Sequence, residues 1–474
     1  MSQRQGVLPY AVEVTERADK VTARAGLPLV LETMRALGLR EVIGRELRVR
    51  ERTSGYTEAE KVEAVVLLLA AGGECLDDIA VLKADRGLMR LLGGELPSAD
   101  TLRNFLYRFH DERLVEVAKQ AAVAAGREAY IVEESAALRG LGQVNEAWVH
   151  RVSAQGKCRR ATLDLDATLQ ESHKREALAH YQGGRGYQPV VVYWVEEDLI
   201  VADEYRDGNV PAGMENLPVI QRAFSALPTT VEEFYFRADS AAYDEDVLKW
   251  LADSQRSSGP GGRIGFTISA DMTTQLRAVC EAVAEKDWVL VEERPHETVM
   301  WSDVEFTPGD WSKDAEPLRY VALRIRKKQG LMFEGGYETK YLAVVSNRWE
   351  MSGADLIRWH WEKAGTIELV HDVTKNELGA AVPPCGRFGA NAAWYRLSLL
   401  TYNVLSAMKS LALPAQLSSA RPKRLRFMVL TIAGRIVSHG GVLVVQIGEA
   451  AERLAGLIAA RTRLVALMPQ AAGG

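Results

Sequence analysis

The sequence predicts a multidomain α/β protein, because the spacing of its apolar residues changes twice along the chain. From about residue 27 the apolar residues recur at helical intervals, and from residue 161 they alternate with polar residues as in a β-strand. Helical spacing returns at about residue 352. The chain has 474 residues, and at about 150 residues per domain this length allows roughly three domains.

Composition excludes several classes of protein. Hydrophobic residues make up 47% and charged residues 26% of the chain, which is typical of a globular protein and excludes a wholly disordered one. No apolar run reaches the roughly 18 residues that span a bilayer, and no signal sequence is evident, so we expect a cytoplasmic protein without a membrane partner. Four scattered cysteines without a CxxC pair exclude a zinc ribbon and a disulfide framework.

The N-terminal region is predicted to be helical. Residues 1–26 are mixed and polar, which predicts a flexible arm, and residues 27–150 form the helical region. The segment TEAEKVEAVVLLLAAGG (57–73) begins with Thr57 and has Glu60 three residues later, which predicts a helix with a capping box.

A second break in this region is typical of a helix-turn-helix. Leu96, Pro97 and Ser98 end one helix, and the next carries Arg103 and Arg108 on its polar side. This arrangement suits docking on DNA, although an ordinary helical bundle with a solvated face would show the same pattern.

The middle of the chain predicts a mixed sheet with helices. Strands are predicted at 161–169, 188–194, 199–205, 231–238 and 262–270, with helices at 214–226 and 241–254. These residues fall in the first part of the core (151–270), which is followed by a β-rich insertion domain (271–348), the second part of the core (349–412) and a basic helical C-terminal region (413–474). The last region holds eight Lys or Arg residues from Arg421 onward, although the whole chain has a net charge of −5.

Carboxylates lie at three positions that suit metal chemistry. Asp164 and Asp166 share one face of a strand, Asp239 ends another strand, and Glu368 lies on a helix. Each has a simpler explanation, since Asp239 could cap the following helix and Glu368 could lie on a solvated face. Together they would suit two Mg²⁺ or Mn²⁺ ions that support phosphoryl transfer.

Five sequence blocks resemble a known family, the DDE transposases of bacterial insertion sequences, and most closely insertion sequence family 1380 within the family 4 group. The blocks are LDLDATLQES (163–172), YQGGRGYQPVVVYW (181–194), RADSAAYDEDVLKWL (237–251), GTIELVHDVTKNELG (365–379) and GRFGANAAWYRLSLLTYNVLSAMK (386–409). The resemblance implies an RNase H-like catalytic core with a β-rich insertion domain. It also implies that Asp166, Asp239 and Glu368 are the catalytic residues that bind two metal ions, with Asp164 as the alternative to Asp166.

Related families carry Tyr, Arg and Lys at fixed positions around the last acid. Here Lys375 occupies the Lys position and Trp361 the Tyr position, but Ala364 replaces the Arg that would contact DNA phosphate. The neighbouring Lys363 or Arg358 could substitute for it.

Further side chains are predicted to contact DNA. The resemblance implies that a tryptophan of the insertion domain stacks on a base flipped out of the duplex, and the candidates are Trp288, Trp301 and Trp311. Phosphate contacts are predicted for Lys174, Arg237, Arg387, Lys423, Arg424 and Arg426, in addition to Arg103 and Arg108.

The resemblance therefore predicts a bacterial, nucleoid-associated DNA transposase that acts as a homodimer on paired element ends. It would bind the terminal inverted repeats, cleave the DNA and transfer the strand to target DNA, with a hairpin end as the route implied by related families. Two other functions explain part of the sequence: a stand-alone RNase H-like nuclease, and a catalytically decayed, transposase-derived DNA-binding protein.

Overall fold

A nine-stranded mixed sheet forms the centre of the protein in the computed structural model, which describes residues 15–49, 55–309, 311, 316–328, 337–448 and 451–468. The N-terminal part of the chain precedes this sheet and is helical, as predicted. Its elements are β1 (Val21–Thr22), α1 (Pro28–Ala36), α2 (Leu39–Glu46), α3 (Glu58–Ala71), α4 (Ile79–Ala84), α5 (Arg86–Leu92), α6 (Ala99–Tyr107), α7 (Glu112–Ala124) and α8 (Ala136–Ser153).

The predicted capping box at the start of α3 is confirmed. The Thr57 hydroxyl accepts a hydrogen bond from the Glu60 backbone N–H at 3.2 Å, and the Glu60 carboxylate accepts one from the Thr57 N–H at 2.7 Å. Ser98 caps α6 in the same way, so the break at residues 96–98 is also confirmed. Whether α6 docks on DNA stays a prediction.

All five predicted core strands are present. The elements of this part are β2 (Arg160–Ala167), β3 (Gln170–Glu171), β4 (Leu178–Ala179), β5 (Arg185–Tyr187), β6 (Val190–Trp194), β7 (Leu199–Glu204), α9 (Leu217–Ser225), β8 (Glu233–Ala238), α10 (Glu245–Ala252) and β9 (Ile264–Ser269). Strands β2, β6 and β7 are antiparallel neighbours, whereas β2, β8 and β9 run parallel. Strands β3, β5 and β4 form a small separate sheet.

The segment predicted as an insertion domain continues the central sheet. It contains α11 (Thr274–Glu281), β10 (Val289–Arg294), β11 (Glu297–Val304), β12 (Arg319–Lys328) and β13 (Tyr337–Ser346). Strand β13 pairs antiparallel with β9, where Val344 lies opposite Ser269, so the four added strands extend one edge of the core. Pairing with β13 satisfies the backbone groups of β9 that would otherwise form an exposed sheet edge.

The C-terminal part returns to the N-terminal helices. It contains α12 (Gly353–Glu377), α13 (Phe388–Leu411), α14 (Pro422–Leu425), β14 (Gly434–His439), β15 (Val442–Ile447) and α15 (Ala451–Leu467). Helix α13 is buried along most of its length and contacts α1, α3, α6, α8 and β7. No described helix is both long and apolar enough to span a bilayer.

The region predicted to be wholly helical (413–474) also contains the hairpin of β14 and β15. Its turn is formed by Gly440 and Gly441, both at positive φ, which is the backbone conformation that tight hairpins require. Strand β1 pairs with β14. The later part of the predicted flexible arm therefore contributes to a sheet, whereas residues 1–14 lie outside the described residues.

Candidate active site

Two carboxylates lie side by side at one end of the central sheet. In the parallel pair β2 and β8, Leu165 lies opposite Ala238, and the next residues are Asp166 and Asp239. Both acids are therefore at the carboxyl ends of adjacent parallel strands, which is where open α/β sheets bind ligands. The Asp166 side chain is 16% exposed.

Helix α12 crosses this end of the sheet and places two basic side chains on Asp166. Lys363 Nζ donates to Asp166 Oδ1 at 3.0 Å, and His371 Nε2 lies 3.3 Å from Oδ2. Burial by itself would raise the pKa of Asp166, but the contacts with His371 and Lys363 lower it below its ordinary value. The ionised form of this carboxylate is thus favoured.

Asp239 has two neighbours of opposite sign. Desolvation of its carboxyl group raises the pKa of Asp239, although the residue as a whole lies at the surface. The charge of Lys363 lowers this pKa, and the charge of Asp166 raises it. One oxygen accepts a hydrogen bond from the Ala241 N–H at 3.0 Å, so Asp239 does cap the short turn that follows it. Because a carboxylate has two oxygens, capping leaves the other one available for a ligand.

Asp164 differs from Asp166 although both face α12. Its carboxylate is fully buried and receives two hydrogen bonds from Arg237, at 2.7 Å and 3.0 Å. The Thr366 hydroxyl also bonds it. Asp164 is therefore neutralised inside the protein, which leaves Asp166 as the acid that faces Asp239.

Arg237, which was predicted to contact DNA, is instead engaged in this buried ion pair with Asp164. Its side chain is 1% exposed and also donates to Glu362 and to the Trp359 carbonyl. Parallel register places it opposite Asp164, so its guanidinium points into the sheet–helix interface.

Glu368 is exposed on α12 and lies in the sequence between Lys363 and His371, the two residues that contact Asp166. Among the described residues, no group of three or more His, Cys, Asp or Glu side chains is arranged to hold a metal ion. The structure thus brings Asp166 and Asp239 together and leaves Glu368 apart from them. A side chain at Gly365 would meet no described atom within 4 Å, so the glycine borders open space next to Glu368.

The other positions of the family pattern are engaged within the protein. Lys375 Nζ donates to Thr168 Oγ1 at 3.1 Å and to the Leu169 carbonyl at 2.5 Å, just beyond Asp166 in the chain. Lys363 is held by Asp166. Arg358 pairs with Asp355 and the Val291 carbonyl, and the ring of Trp361 lies under Arg294 at 5.1 Å.

An open cavity of about 740 Å³ lies beside Asp166. Its lining includes Thr168, Lys174, Tyr181 and Lys375. Tyr181 is 76% exposed and is not among the DNA contacts predicted from the sequence. An exposed aromatic ring that lines the same cavity as two lysines suits a nucleic-acid contact.

The three candidate tryptophans are covered. Trp288 and Trp311 are buried, Trp288 beneath the guanidinium of Arg324 at 4.5 Å, and Trp301 packs against the start of α12 at Gly353. By contrast, Trp349 is 58% exposed, but it follows β13 and lies at the end of the sheet opposite Asp239.

The remaining predicted DNA contacts fall into two groups. Arg426 is engaged internally, because it donates to the Leu69 and Ala70 carbonyls at the end of α3. The others retain surface exposure and stay predictions: Arg103 (paired with Asp77 and Asp100), Arg108, Lys174, Arg387 (stacked on Tyr107 at 4.1 Å), Lys423 and Arg424.

Comparison with known families identifies the chain. Residues 6–468 match the family model described as transposase DDE domain group 1. The chain belongs to this family of DDE transposases. No curated protein matches the sequence. Among solved structures, this transposase is similar to the piggyBac transposase in its synaptic complex with hairpin DNA, with 12% identity, a TM-score of 0.44, and coverage of 96% of this chain and 88% of that one.

DDE transposases cleave and move DNA and generally use divalent metal ions. The carboxylates of this transposase fit such ions in part. Asp166 and Asp239 supply adjacent hard oxygen donors, which Mg²⁺ and Mn²⁺ prefer, at the partly open carboxyl ends of two central strands. Glu368 does not join them in the described arrangement.

Proposed function

We propose that this protein is the transposase of a bacterial insertion sequence, and that Asp166 and Asp239 form the centre of its active site. The observation that carries the proposal is the placement of these two acids on adjacent parallel strands, beneath α12, in a chain of the DDE transposase family. Membership of insertion sequence family 1380 is the finer proposal and rests on the five sequence blocks.

We also propose that the core is RNase H-like. The order β7, β6, β2, β8, β9, with antiparallel pairing on one side of β2 and parallel pairing on the other, supports this assignment. In such a core the final acid is carried by a helix that packs on the sheet, and the packing of α12 on β2 and β8 supports Glu368 as that acid.

Asp166 and Asp239 would hold the divalent ions, two per site, with Glu368 as the third ligand when DNA is bound. The ions would activate the attacking oxygen and stabilise the leaving oxygen. The chain itself positions the DNA strand: Lys375 and Lys174 border the cavity beside Asp166, and their charges suit phosphates.

The partners of the reaction follow from the proposed activity. The N-terminal helices would bind the terminal inverted repeats, and two copies of the chain would pair the two element ends. The resulting 3′-hydroxyl would attack the opposite strand to form a hairpin or, later, attack target DNA. Exposed Lys423 and Arg424 would contribute phosphate contacts.

The test is cleavage of a labelled duplex that carries the element's own end. We expect cleavage at the end junction with Mg²⁺, none with EDTA, and none with Glu368→Gln. The matched control is Glu362→Gln, which changes an exposed acid of the same helix. Tight end binding without cleavage would identify a decayed DNA-binding protein, and cleavage along the whole duplex would identify a nuclease.

A further inference from the structure

The two acids of the site need a positive charge when no metal ion is bound. Asp166 and Asp239 are neighbours on adjacent strands, and two ionised carboxylates at this spacing repel each other. Lys363 supplies that charge: its ammonium lies 3.0 Å from Asp166 Oδ1, and its side chain is only 10% exposed.

We infer that Lys363 is an internal counter-ion that holds the Asp166 carboxylate in the metal-free protein and is displaced when a divalent ion binds. Lys363 is thus a positioning residue for the metal site. The inference rests on the proposed function, since it takes Asp166 as a metal ligand.

Displacement follows from geometry and charge. A Mg²⁺ ion binds a carboxylate oxygen at about 2 Å. If Lys363 stayed on the same oxygen, two positive charges would lie within about 5 Å of each other and would repel strongly in this poorly hydrated setting. Lysine can leave, because its ammonium is a point charge on a long flexible stem.

The released ammonium would have a use. Lys363 lies on α12 at the end of the sheet that carries Asp166, so an ammonium released from Asp166 would stay close to the bound DNA. A single lysine would then serve two states, neutralising Asp166 without metal and facing the DNA phosphate with metal. Arg237 differs from Lys363 in this respect: it binds Asp164 through two hydrogen bonds and is fully buried, so its pair is fixed.

The experiment compares metal binding and thermal unfolding of the full-length chain. Mn²⁺ is titrated calorimetrically into wild type, Lys363→Met, Lys363→Arg and Asp166→Asn. We expect Lys363→Met to bind Mn²⁺ about tenfold more tightly than wild type, because no charge has to be displaced. Lys363→Arg should bind no more tightly than wild type, and Asp166→Asn should lose the site.

Thermal unfolding provides a second readout. In EDTA, Lys363→Met should melt at a lower temperature than wild type, and Mn²⁺ should restore most of the difference. The control is Lys249→Met, which removes a lysine paired with Glu245 on α10, away from the site. If Lys363→Met does not fold, Lys363→Gln provides the same neutral replacement.

The outcomes separate the inference from the proposed function. If wild type binds Mn²⁺ through Asp166 but Lys363→Met binds no more tightly, the counter-ion inference is wrong and the proposed function stands. If wild type binds no Mn²⁺ in the absence of DNA, the counter-ion inference is overturned, whereas the proposed function is tested separately by cleavage of the element end. Equal losses of melting temperature with and without Mn²⁺ would make Lys363 a purely structural residue.

Discussion

Two ion pairs on strand β2 differ in burial and in hydrogen bonding, and the difference distinguishes a structural pair from a pair at the candidate active site. Asp164 and Asp166 are two residues apart and both face α12. Arg237 holds Asp164 with two hydrogen bonds in a fully buried pair, whereas Lys363 holds Asp166 with one, at the partly open end of the strand. The arginine pair is fixed in geometry, and the lysine pair can exchange its cation.

A third aspartate extends the comparison. Asp207 is buried, no Lys or Arg pairs with it among the described residues, and one of its oxygens has no hydrogen-bond partner there. Burial raises the pKa of Asp207 to about 7. Asp164 thus has a fixed cation, Asp166 has an exchangeable one, and Asp207 has none among the described residues.

The largest expected effect is on cleavage. Asp166→Asn should reduce cleavage at the element end by at least about ten-thousandfold, equivalent to about 5 kcal/mol of transition-state stabilisation, because the site loses a metal ligand. The measurement is single-turnover cleavage with Mg²⁺, and circular dichroism would verify the fold. Retained cleavage would show that Asp166 is not a catalytic residue and would favour Asp164, the alternative acid.

The arginine pair should affect stability instead. Arg237→Met leaves the Asp164 carboxylate buried without its cation and should lower the free energy of unfolding by about 3–5 kcal/mol. Urea unfolding measures this change. Arg237→Lys keeps the charge but loses the double hydrogen bond, so its free energy of unfolding should lie between those of wild type and Arg237→Met. Wild-type stability in Arg237→Met would contradict the structural role.

Asp207 should make stability depend on pH. Its pKa is higher in the folded protein than in the unfolded chain, so ionisation favours unfolding, and stability falls as pH rises from about 4 to about 7. Asp207→Asn removes this loss. Relative to wild type, the variant should gain about 2 kcal/mol between about pH 5.5 and about pH 8 in urea unfolding. A gain that does not change with pH would show that Asp207 is ionised throughout this range.

Exposed cations should show the smallest effect. Arg424→Ala should change stability by less than about 0.5 kcal/mol and should lower the slope of log affinity for DNA against log salt by about 1. Fluorescence anisotropy at several salt concentrations measures the slope. Arg426→Ala is the contrast, since Arg426 bonds the end of α3 and its loss should reduce stability. An unchanged slope in Arg424→Ala would remove that residue from the DNA path.

Local patterns in the sequence were sufficient to predict most elements. Alternation identified β2 and placed Asp164 and Asp166 on one face of it, and Thr57 with Glu60 identified the start of α3. These local patterns could not show which of the two acids is neutralised by a buried arginine. That depends on Arg237, which lies 73 residues from Asp164 in the chain and reaches it only through strand register.

Helical spacing counted from Glu368 did not single out the side chains of α12 that contact Asp166, and the metal-binding role of Glu368 stays a prediction. Counting from Glu368 followed the family pattern, whereas the face that meets Asp166 is marked by Lys363, Ile367 and His371, four residues apart. The hairpin of β14 and β15 was missed because its short valine-rich strands were assigned to a helical region. The glycine pair between them was the available signal.

Helix α13 has a consequence for synthesis of the chain. The N-terminal helices α1, α3, α6 and α8 complete their packing against it, yet it comprises residues 388–411. Their apolar faces therefore stay uncovered on the ribosome until most of the polypeptide has been made. We expect the nascent N-terminal region to depend on chaperones, and C-terminal truncations before residue 388 to aggregate rather than yield a folded N-terminal fragment.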